Sequence, residues 1–113
     1  MRIGELGRIT GVSARSLRYY EQQGLLTSVR TPAGQRVYAP ETIARVGLIR
    51  TLLAAGLTSR SIAVLITCED TGVVTPEMVR VVENEYARVE HQMDELGQAR
   101  TRLVALLKQM DIA

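Results

Sequence analysis

The segment SARSLRYYEQQ carries two arginines three residues apart, together with hydroxyl-bearing side chains. An arginine guanidinium can donate two parallel hydrogen bonds to guanine O6 and N7, and serine and tyrosine hydroxyls donate to phosphate oxygens. These residues cluster toward the N-terminal half of a predicted helix, the half of a recognition helix that reaches the DNA major groove. The segment is therefore our candidate for contacting DNA, through Ser13, Arg15, Ser16, Arg18 and Tyr19.

Within this segment we expect Arg15 to read a base. Two alternatives stay open for Tyr20, which can contact DNA or belong to the core. The competing interpretation of the whole segment is an ordinary solvated helix face.

Basic and acidic residues are segregated along the chain, which a net charge of +2 conceals. The first 65 residues hold nine arginines and three glutamates, whereas the remainder holds five basic and nine acidic residues. A basic N-terminal part is typical of proteins that contact a polyanion, although many solvated surfaces are locally basic. Charge alone therefore leaves the function open.

Two helices joined by a tight turn, over about residues 3–23, would position the arginines. Apolar residues recur at helical spacing before Gly11, and Ser13 can cap a second helix that a glycine ends. Gly7 and Leu17 stand where crossing helices need a small residue and an apolar anchor. The pattern predicts a helix-turn-helix.

A β-hairpin wing is predicted over about residues 28–38, where TSVR and QRVY flank the turn sequence TPAG. Arg30, Arg36 and Tyr38 lie on its strands and can project toward the DNA backbone beside the recognition helix. We therefore expect these three residues to clamp phosphates. The alternative for Tyr38 is that it packs beneath the wing.

Two further helices follow the wing. Pro40 opens the first, which carries an apolar stripe. Thr58 or Ser59 caps the second, and the N–H groups at its start together with Arg60 form a usable phosphate site, for which we name Thr58 and Arg60. Residues 69–76 are then predicted to be a linker.

A long helix is predicted over residues 77–113, with apolar residues in a heptad pattern. Arg100 interrupts this pattern, and Gly97 beside it would let two helices approach closely. The apolar residues of the heptad pattern form a seam along one side of the helix, which would lie in water if the helix were alone. We therefore expect a coiled-coil homodimer; the alternative is a helix folded back on its own domain. The predicted dimerisation residues are Val82, Tyr86, Val89, Met93, Leu96, Arg100, Leu103, Leu107 and Met110.

The motifs LRYYE, GLL, RVY and AGL, at these spacings, closely resemble the MerR family of transcription regulators. The resemblance implies a mainly α fold: a winged helix-turn-helix DNA-binding domain over residues 1–68 with a short β-hairpin wing, followed by a long coiled-coil dimerisation helix. It also implies that Arg18 and Tyr19 contact the DNA backbone and that the segment from Thr58 to Arg60 is a second wing.

The function that the resemblance implies is sequence-specific transcription regulation by a homodimer. Such dimers bind a pseudo-palindromic operator in promoter DNA, then bend and untwist it so that RNA polymerase can engage, an indirect effect on the polymerase. The alternative is a dimeric protein-interaction adaptor or antirepressor without sequence-specific DNA binding. We expect no enzymatic activity, because no paired carboxylates or His–nucleophile pair stand at a workable spacing.

Cys68 is the one candidate sensor, at the joint between the short helix and the linker. Glu69 and Asp70 disfavour a thiolate there, so a partly buried structural thiol is the competing interpretation. One cysteine and His91 cannot supply the ligands that zinc or copper requires. We therefore expect no metal and no cofactor.

A cytoplasmic protein without membrane contact is expected. The N-terminus reaches glycine and charge too early for a signal peptide, and no apolar run is long enough to span a membrane. The single cysteine cannot form an internal disulfide. The sequence stops soon after the long helix, so we expect no separate ligand-binding domain; the alternative is that it belongs to a longer protein with a sensor.

If the arginines contact phosphates, DNA affinity will fall steeply with salt. The logarithm of the binding constant should decrease linearly with the logarithm of salt concentration, by roughly 0.9 for each phosphate neutralised. Fluorescence anisotropy titrations of a labelled duplex across a salt series would measure this slope. A flat dependence would contradict DNA binding by the basic face.

Overall fold

The computed structural model describes residues 1–111 and confirms the mainly α fold with a two-stranded wing and a long C-terminal helix. Positions 112 and 113, included in the predicted long helix, lie outside the described residues. The elements in chain order are α1 (Ile3–Thr10), α2 (Ala14–Gln22), β1 (Val29–Arg30), β2 (Arg36–Val37), α3 (Thr42–Ala54), α4 (Ser59–Thr71) and α5 (Pro76–Met110).

The turn between α1 and α2 is built from a left-handed glycine and a serine cap. Gly11 ends α1 at φ 74°, and its N–H donates to the carbonyl of Gly7. Ser13 begins α2 by accepting a hydrogen bond from the Ser16 N–H. The guanidinium of Arg50 in α3 donates to the carbonyl of Thr10 at 2.9 Å, which attaches the end of α1 to the third helix.

The wing is an antiparallel pair in which Val29 faces Val37 and Arg30 faces Arg36. Its end is attached to the start of the chain, because the Tyr38 N–H donates to the Met1 carbonyl at 2.6 Å and the Met1 amino group donates to the Tyr38 carbonyl at 2.9 Å. The base of the short hairpin is therefore attached to the N-terminus of the chain.

A single core joins the first four helices to the base of the wing. Its fully buried side chains come from α1, α2, the connection after α2, the end of the wing, α3 and α4: Leu6, Leu17, Leu25, Tyr38, Val46, Ile49 and Ile62. Apolar burial of this kind is the main favourable term in folding. It fixes the orientation of α2 relative to the wing.

The linker predicted over residues 69–76 is shorter in the structure. Helix α4 continues through Glu69 and Asp70, and Gly72 ends it in the left-handed region at φ 68°. Arg45 of α3 donates to both carboxylate oxygens of Asp70, at 2.6 and 3.4 Å. This tertiary ion pair, together with the glycine that follows, explains why α4 includes the two acidic residues instead of ending before them. Only residues 72–75 connect α4 to α5.

Helix α5 runs for 35 residues, and only its first part packs on α4. Arg88 donates to the Ala55 carbonyl at 3.1 Å and to Glu85 at 2.8 Å, and Val89 packs against the core. Beyond this region the helix leaves the domain with every residue from 90 to 111 exposed. Across residues 1–111, no helix combines the length and the apolar character that crossing a membrane requires.

Replacing Gly7 with alanine should destabilise the fold. A Cβ there would lie 2.8 Å from the Val12 carbonyl oxygen, so backbone must shift, at a cost of about 1–3 kcal/mol. Gly4→Ala is the matched control on the same helix: nothing lies within 4 Å of its Cβ, and we expect a gain of about 0.5–1 kcal/mol from helix propensity. Urea unfolding would measure both, and equal effects would contradict the tight crossing of α1 and α2.

Candidate nucleic-acid interface

Helix α2 presents one polar face to solvent and one apolar face to the core. Arg15, Arg18 and Tyr19 are exposed, with Tyr19 at 49% of its full accessibility. Leu17 and Tyr20 are buried. The structure therefore places Tyr20 in the core, and it leaves the two arginines and Tyr19 available to a ligand.

The two serines of α2 bond to each other at the start of the helix. The Ser13 hydroxyl donates to Ser16 Oγ at 3.0 Å and accepts from the Ser16 N–H at 3.1 Å. Ser13 is exposed and Ser16 half-buried. Both serve the cap of the recognition helix, and their contact with phosphate stays a prediction.

Glu21, near the C-terminal end of α2, connects the recognition helix to the wing. Its carboxylate accepts hydrogen bonds from the Tyr38 hydroxyl at 2.7 Å and the Ser28 hydroxyl at 2.9 Å, and Arg36 Nε lies 3.5 Å away. Ser28, Arg36 and Tyr38 come from the two sides of the hairpin. One carboxylate thus sets the position of the whole wing against α2.

Sequence reasoning did not identify Glu21. The available signal was a carboxylate in a segment otherwise rich in arginine, at the end of the helix that precedes the hairpin. A buried or half-buried acid in such a place needs a partner. The partners are separated from it by up to 17 positions, so they became apparent only from the fold.

The electrostatics of this cluster keep Glu21 charged and Tyr38 neutral. Burial of the Glu21 carboxyl raises its pKa, but the hydrogen bonds from Tyr38 and Ser28 and the charges of Arg36 and Arg30 outweigh burial, so the pKa is lowered. Burial, the hydrogen bond to Glu21 and the charge of that carboxylate raise the pKa of Tyr38 to about 12. The Tyr38 hydroxyl therefore remains a donor.

The expected role of Tyr38 as a phosphate clamp is not what the structure shows. Its side chain is 1% exposed and its hydroxyl already donates to Glu21. The physical reason is that the residue follows β2 and turns its ring into the core rather than toward the outer face of the hairpin. The alternative stated for it, packing beneath the wing, is the observed one.

The two arginines of the wing remain exposed but have intramolecular partners. Arg30 donates to the Gly34 carbonyl at 2.8 Å within the turn, and Arg36 pairs with Glu21. Arg36 also shares a small cleft of about 190 Å³ with Arg18, Glu21 and Gln22. The fold therefore brings Arg18 of α2 and Arg36 of the wing to one surface.

Thr58 and Arg60 lie at the start of α4, outside the cleft between α2 and the wing. The Thr58 hydroxyl accepts from the Ser61 N–H at 3.1 Å, so Thr58, rather than Ser59, caps the helix. Arg60 is exposed. A phosphate contact at this helix start stays a prediction.

Most of the predicted dimerisation residues form an exposed stripe along α5. The exception is Val89, which is half-buried because it packs against the core of its own domain. The exposed members are Val82, Tyr86, Met93, Leu96, Arg100, Leu103, Leu107 and Met110. Their exposed fractions reach 70%, at Met110. An apolar stripe of this length is typical of an interaction surface.

Cys68 is half-buried near the end of α4 and has no disulfide partner among the described residues. His91 lies on α5, 2.7 Å from Glu95. Within residues 1–111, no three histidine, cysteine or acidic side chains gather in a way that could hold a metal ion. The role of Cys68 as a sensor stays a prediction.

Tyr38→Phe should destabilise the protein by about 1.5–3 kcal/mol at neutral pH, because it removes a hydrogen bond to a charged acceptor. The pKa of Glu21 is lowered in the folded state, so this stabilisation is present above the ordinary value of 4.5 and is lost as pH falls through the folded pKa. Urea unfolding at pH 7 and at acidic pH would measure the difference from wild type. Tyr19→Phe, which alters an exposed hydroxyl, is the control, and an equal loss in both variants would contradict the cluster.

The chain is similar to known proteins both over its N-terminal part and over most of its length. Residues 1–67 match the model of the MerR HTH family regulatory proteins. Nodulation protein NolA from Bradyrhizobium elkanii is 47% identical over 62 residues, which are 54% of this chain and 28% of NolA. The transcriptional regulator CueR from Escherichia coli is 27% identical over 108 residues, which are 94% of this chain and 80% of CueR.

A solved structure extends the likeness through the long helix. HiNmlR, a MerR family regulator lacking the sensor domain and bound to promoter DNA, has a TM-score of 0.74 at 26% identity, covering 95% of this chain and 86% of that one. The chain thus spans less than a third of NolA but most of CueR and of the HiNmlR chain. Because the family model matches more than half of the sequence, the protein belongs to the MerR family of helix-turn-helix regulatory proteins.

Proposed function

We propose that this protein is a sequence-specific, DNA-binding transcription regulator that acts as a homodimer on promoter DNA. The observation that carries the proposal is the exposed face of α2, where Arg15, Arg18 and Tyr19 stand together and Arg36 of the wing shares a cleft with Arg18. Membership of the MerR family supports it, as does the likeness to HiNmlR, which is bound to promoter DNA in its structure.

In the proposed complex α2 enters the major groove and the wing lies along the adjacent backbone. Arg15, the second residue of α2, reads a base edge, and Arg18 and Tyr19 contact phosphates. Arg36 can contact a phosphate from its present position, because Nε faces Glu21 at 3.5 Å while the side chain is 40% exposed. Arg30 would exchange its bond to the Gly34 carbonyl for a phosphate.

The start of α4 supplies a further backbone contact in this proposal. Thr58 caps the helix and is exposed, as is Arg60 in its first turn. A helix start with a neighbouring guanidinium favours phosphate. Backbone contacts from both the wing and the start of α4 would fix the position of α2 along the DNA without reading its sequence.

Two copies joined through α5 would present two recognition helices to one pseudo-palindromic operator. The exposed apolar stripe of α5 supports pairing, since a helix with this stripe in water gains by covering it. Two recognition helices held at a fixed distance can bend and untwist the DNA between them. Such distortion selects for deformable DNA sequence at base pairs that the protein does not contact. RNA polymerase would then respond to the shape of the promoter.

Selection from a random DNA pool tests this proposal. The wild-type protein should enrich a palindrome, and footprinting of the best site should show two protected half-sites. If no palindrome is enriched, the adaptor or antirepressor function becomes the better explanation.

Arg15→Ala should weaken binding to the selected site by about 1–3 kcal/mol and relax preference at one base pair of each half-site. Arg102→Ala, an exposed arginine on the distal half of α5, is the matched control and should keep the full preference. Competition assays with single-base variants of the site measure both. A uniform loss of affinity, with the preference retained, would show that Arg15 contacts phosphate instead.

A further inference from the structure

The connection between α3 and α4, residues 55–58, is held by a side chain of α5. The Ala55 carbonyl at the end of α3 accepts a hydrogen bond from Arg88 Nη1 at 3.1 Å. Within residues 1–111, no backbone N–H donates to that carbonyl. A cation at this end of a helix is favourable, because the last carbonyls have no partner inside the helix. Arg88 therefore caps α3 from a different helix.

The backbone beside this carbonyl leaves room for the guanidinium only because it lacks a side chain. Gly56 has a φ of 88°, and a Cβ there would lie 2.9 Å from Arg88 Nη1. The next residue, Leu57, is buried in the core. The short connection is thus fixed by two contacts, one with α5 and one with the core.

Glu85 extends the contact from Arg88 to the start of α4. Its carboxylate oxygens accept hydrogen bonds from Arg88 Nη2 at 2.8 Å and from the Ser61 hydroxyl at 3.5 Å. The Ser61 hydroxyl accepts from the Thr58 hydroxyl at 3.2 Å. A chain of hydrogen bonds therefore runs from α5 to Thr58, the residue that caps α4.

The charges in this chain of hydrogen bonds are balanced within α5. An unpaired carboxylate near the start of α4 would repel a phosphate, but Glu85 is paired with Arg88. The side chains of Arg88 and Glu85 are 34% and 19% exposed, so solvent and salt screen the pair less than they screen a surface ion pair. The pair can therefore hold a fixed geometry next to the expected phosphate contact.

We propose that Arg88, through Ala55 and Glu85, is a positioning residue for DNA binding. It fixes the start of α4 in the arrangement from which Arg60 contacts a phosphate, without touching the DNA itself. The inference rests on the proposed function and deepens it. Because Arg88 and Glu85 belong to α5, this phosphate contact depends on how α5 packs on α4.

A double-mutant cycle on DNA affinity tests this role. Arg88→Met removes the donors of the side chain, and Arg60→Ala removes the expected phosphate contact. Each single variant, and equally the double variant, should lose roughly tenfold in affinity for the selected site, whereas independent losses would multiply to roughly a hundredfold. Fluorescence anisotropy at one salt concentration measures all four proteins.

Hydroxyl-radical footprinting adds a measurement that loss of stability alone would not change in this way. At protein concentrations that saturate the DNA, Arg88→Met should lose protection at the same backbone positions as Arg60→Ala. Protection elsewhere in each half-site, where α2 and the wing are expected to lie, should remain.

Three further variants serve as controls. Arg80→Met, at an exposed arginine of α5, removes the same charge and should keep wild-type affinity and footprint. Arg88→Lys keeps the charge but lacks the planar fork that reaches Ala55 and Glu85 together, so it should lose affinity as Arg88→Met does. Ser61→Ala interrupts the hydrogen bonds and replaces Arg88→Met if that variant fails to fold. Its loss, roughly twofold to threefold, should disappear in the Arg60→Ala background.

Several outcomes would overturn the inference. Losses from Arg88→Met and Arg60→Ala that multiply, or lost protection at different positions, would mean that Arg88 acts apart from the start of α4. Wild-type affinity in either single variant would remove the coupling altogether. Full affinity in Arg88→Lys would mean that the charge acts on DNA directly.

The proposed function is tested separately, by selection with the wild-type protein. If a palindrome is enriched and the losses multiply, this inference alone fails. If no palindrome is enriched, the proposed function fails and the inference fails with it.

Discussion

The hydrogen bond from the Tyr38 hydroxyl to the Glu21 carboxylate, 2.7 Å long, joins the recognition helix to the base of the wing. The tyrosine ring is part of the core, and the carboxylate also accepts from Ser28 at the start of the hairpin. A two-residue strand pair has little stability of its own. The wing keeps its place because these contacts attach its first and last residues to α2.

This arrangement also explains an acidic residue in the middle of a basic surface. Glu21 is held ionised by its donors, and its charge faces Arg36, which shares a cleft with Arg18. Without the carboxylate, two guanidinium groups would stand close together without compensation. The acid therefore stabilises the arrangement of the two arginines, and it leaves both of them exposed.

The long helix imposes a second constraint, of a different kind. The first part of α5 is held to the domain by the Arg88 hydrogen bond and by packing of Val89. From residue 90 to residue 111 every residue of the chain is exposed. A helical segment that packs on nothing is only marginally stable in water, and its apolar stripe gains nothing there. In the proposed dimer, association and the placement of the two α2 helices are coupled through the contacts between α4 and α5.

Much of the fold and of the exposed α2 face was predictable from the sequence, because the signals are local. A serine cap at Ser13, a left-handed Gly11 and the heptad spacing of α5 act within a few turns of chain. The site cluster and the end of α4 were not predictable. They depend on Glu21 with Tyr38 and on Arg45 with Asp70, pairs 17 and 25 positions apart. Such contacts exist only after the core has packed. The sequence by itself therefore determined the helices and strands, and the tertiary structure decided which side chains of α2 are exposed and which hold the wing.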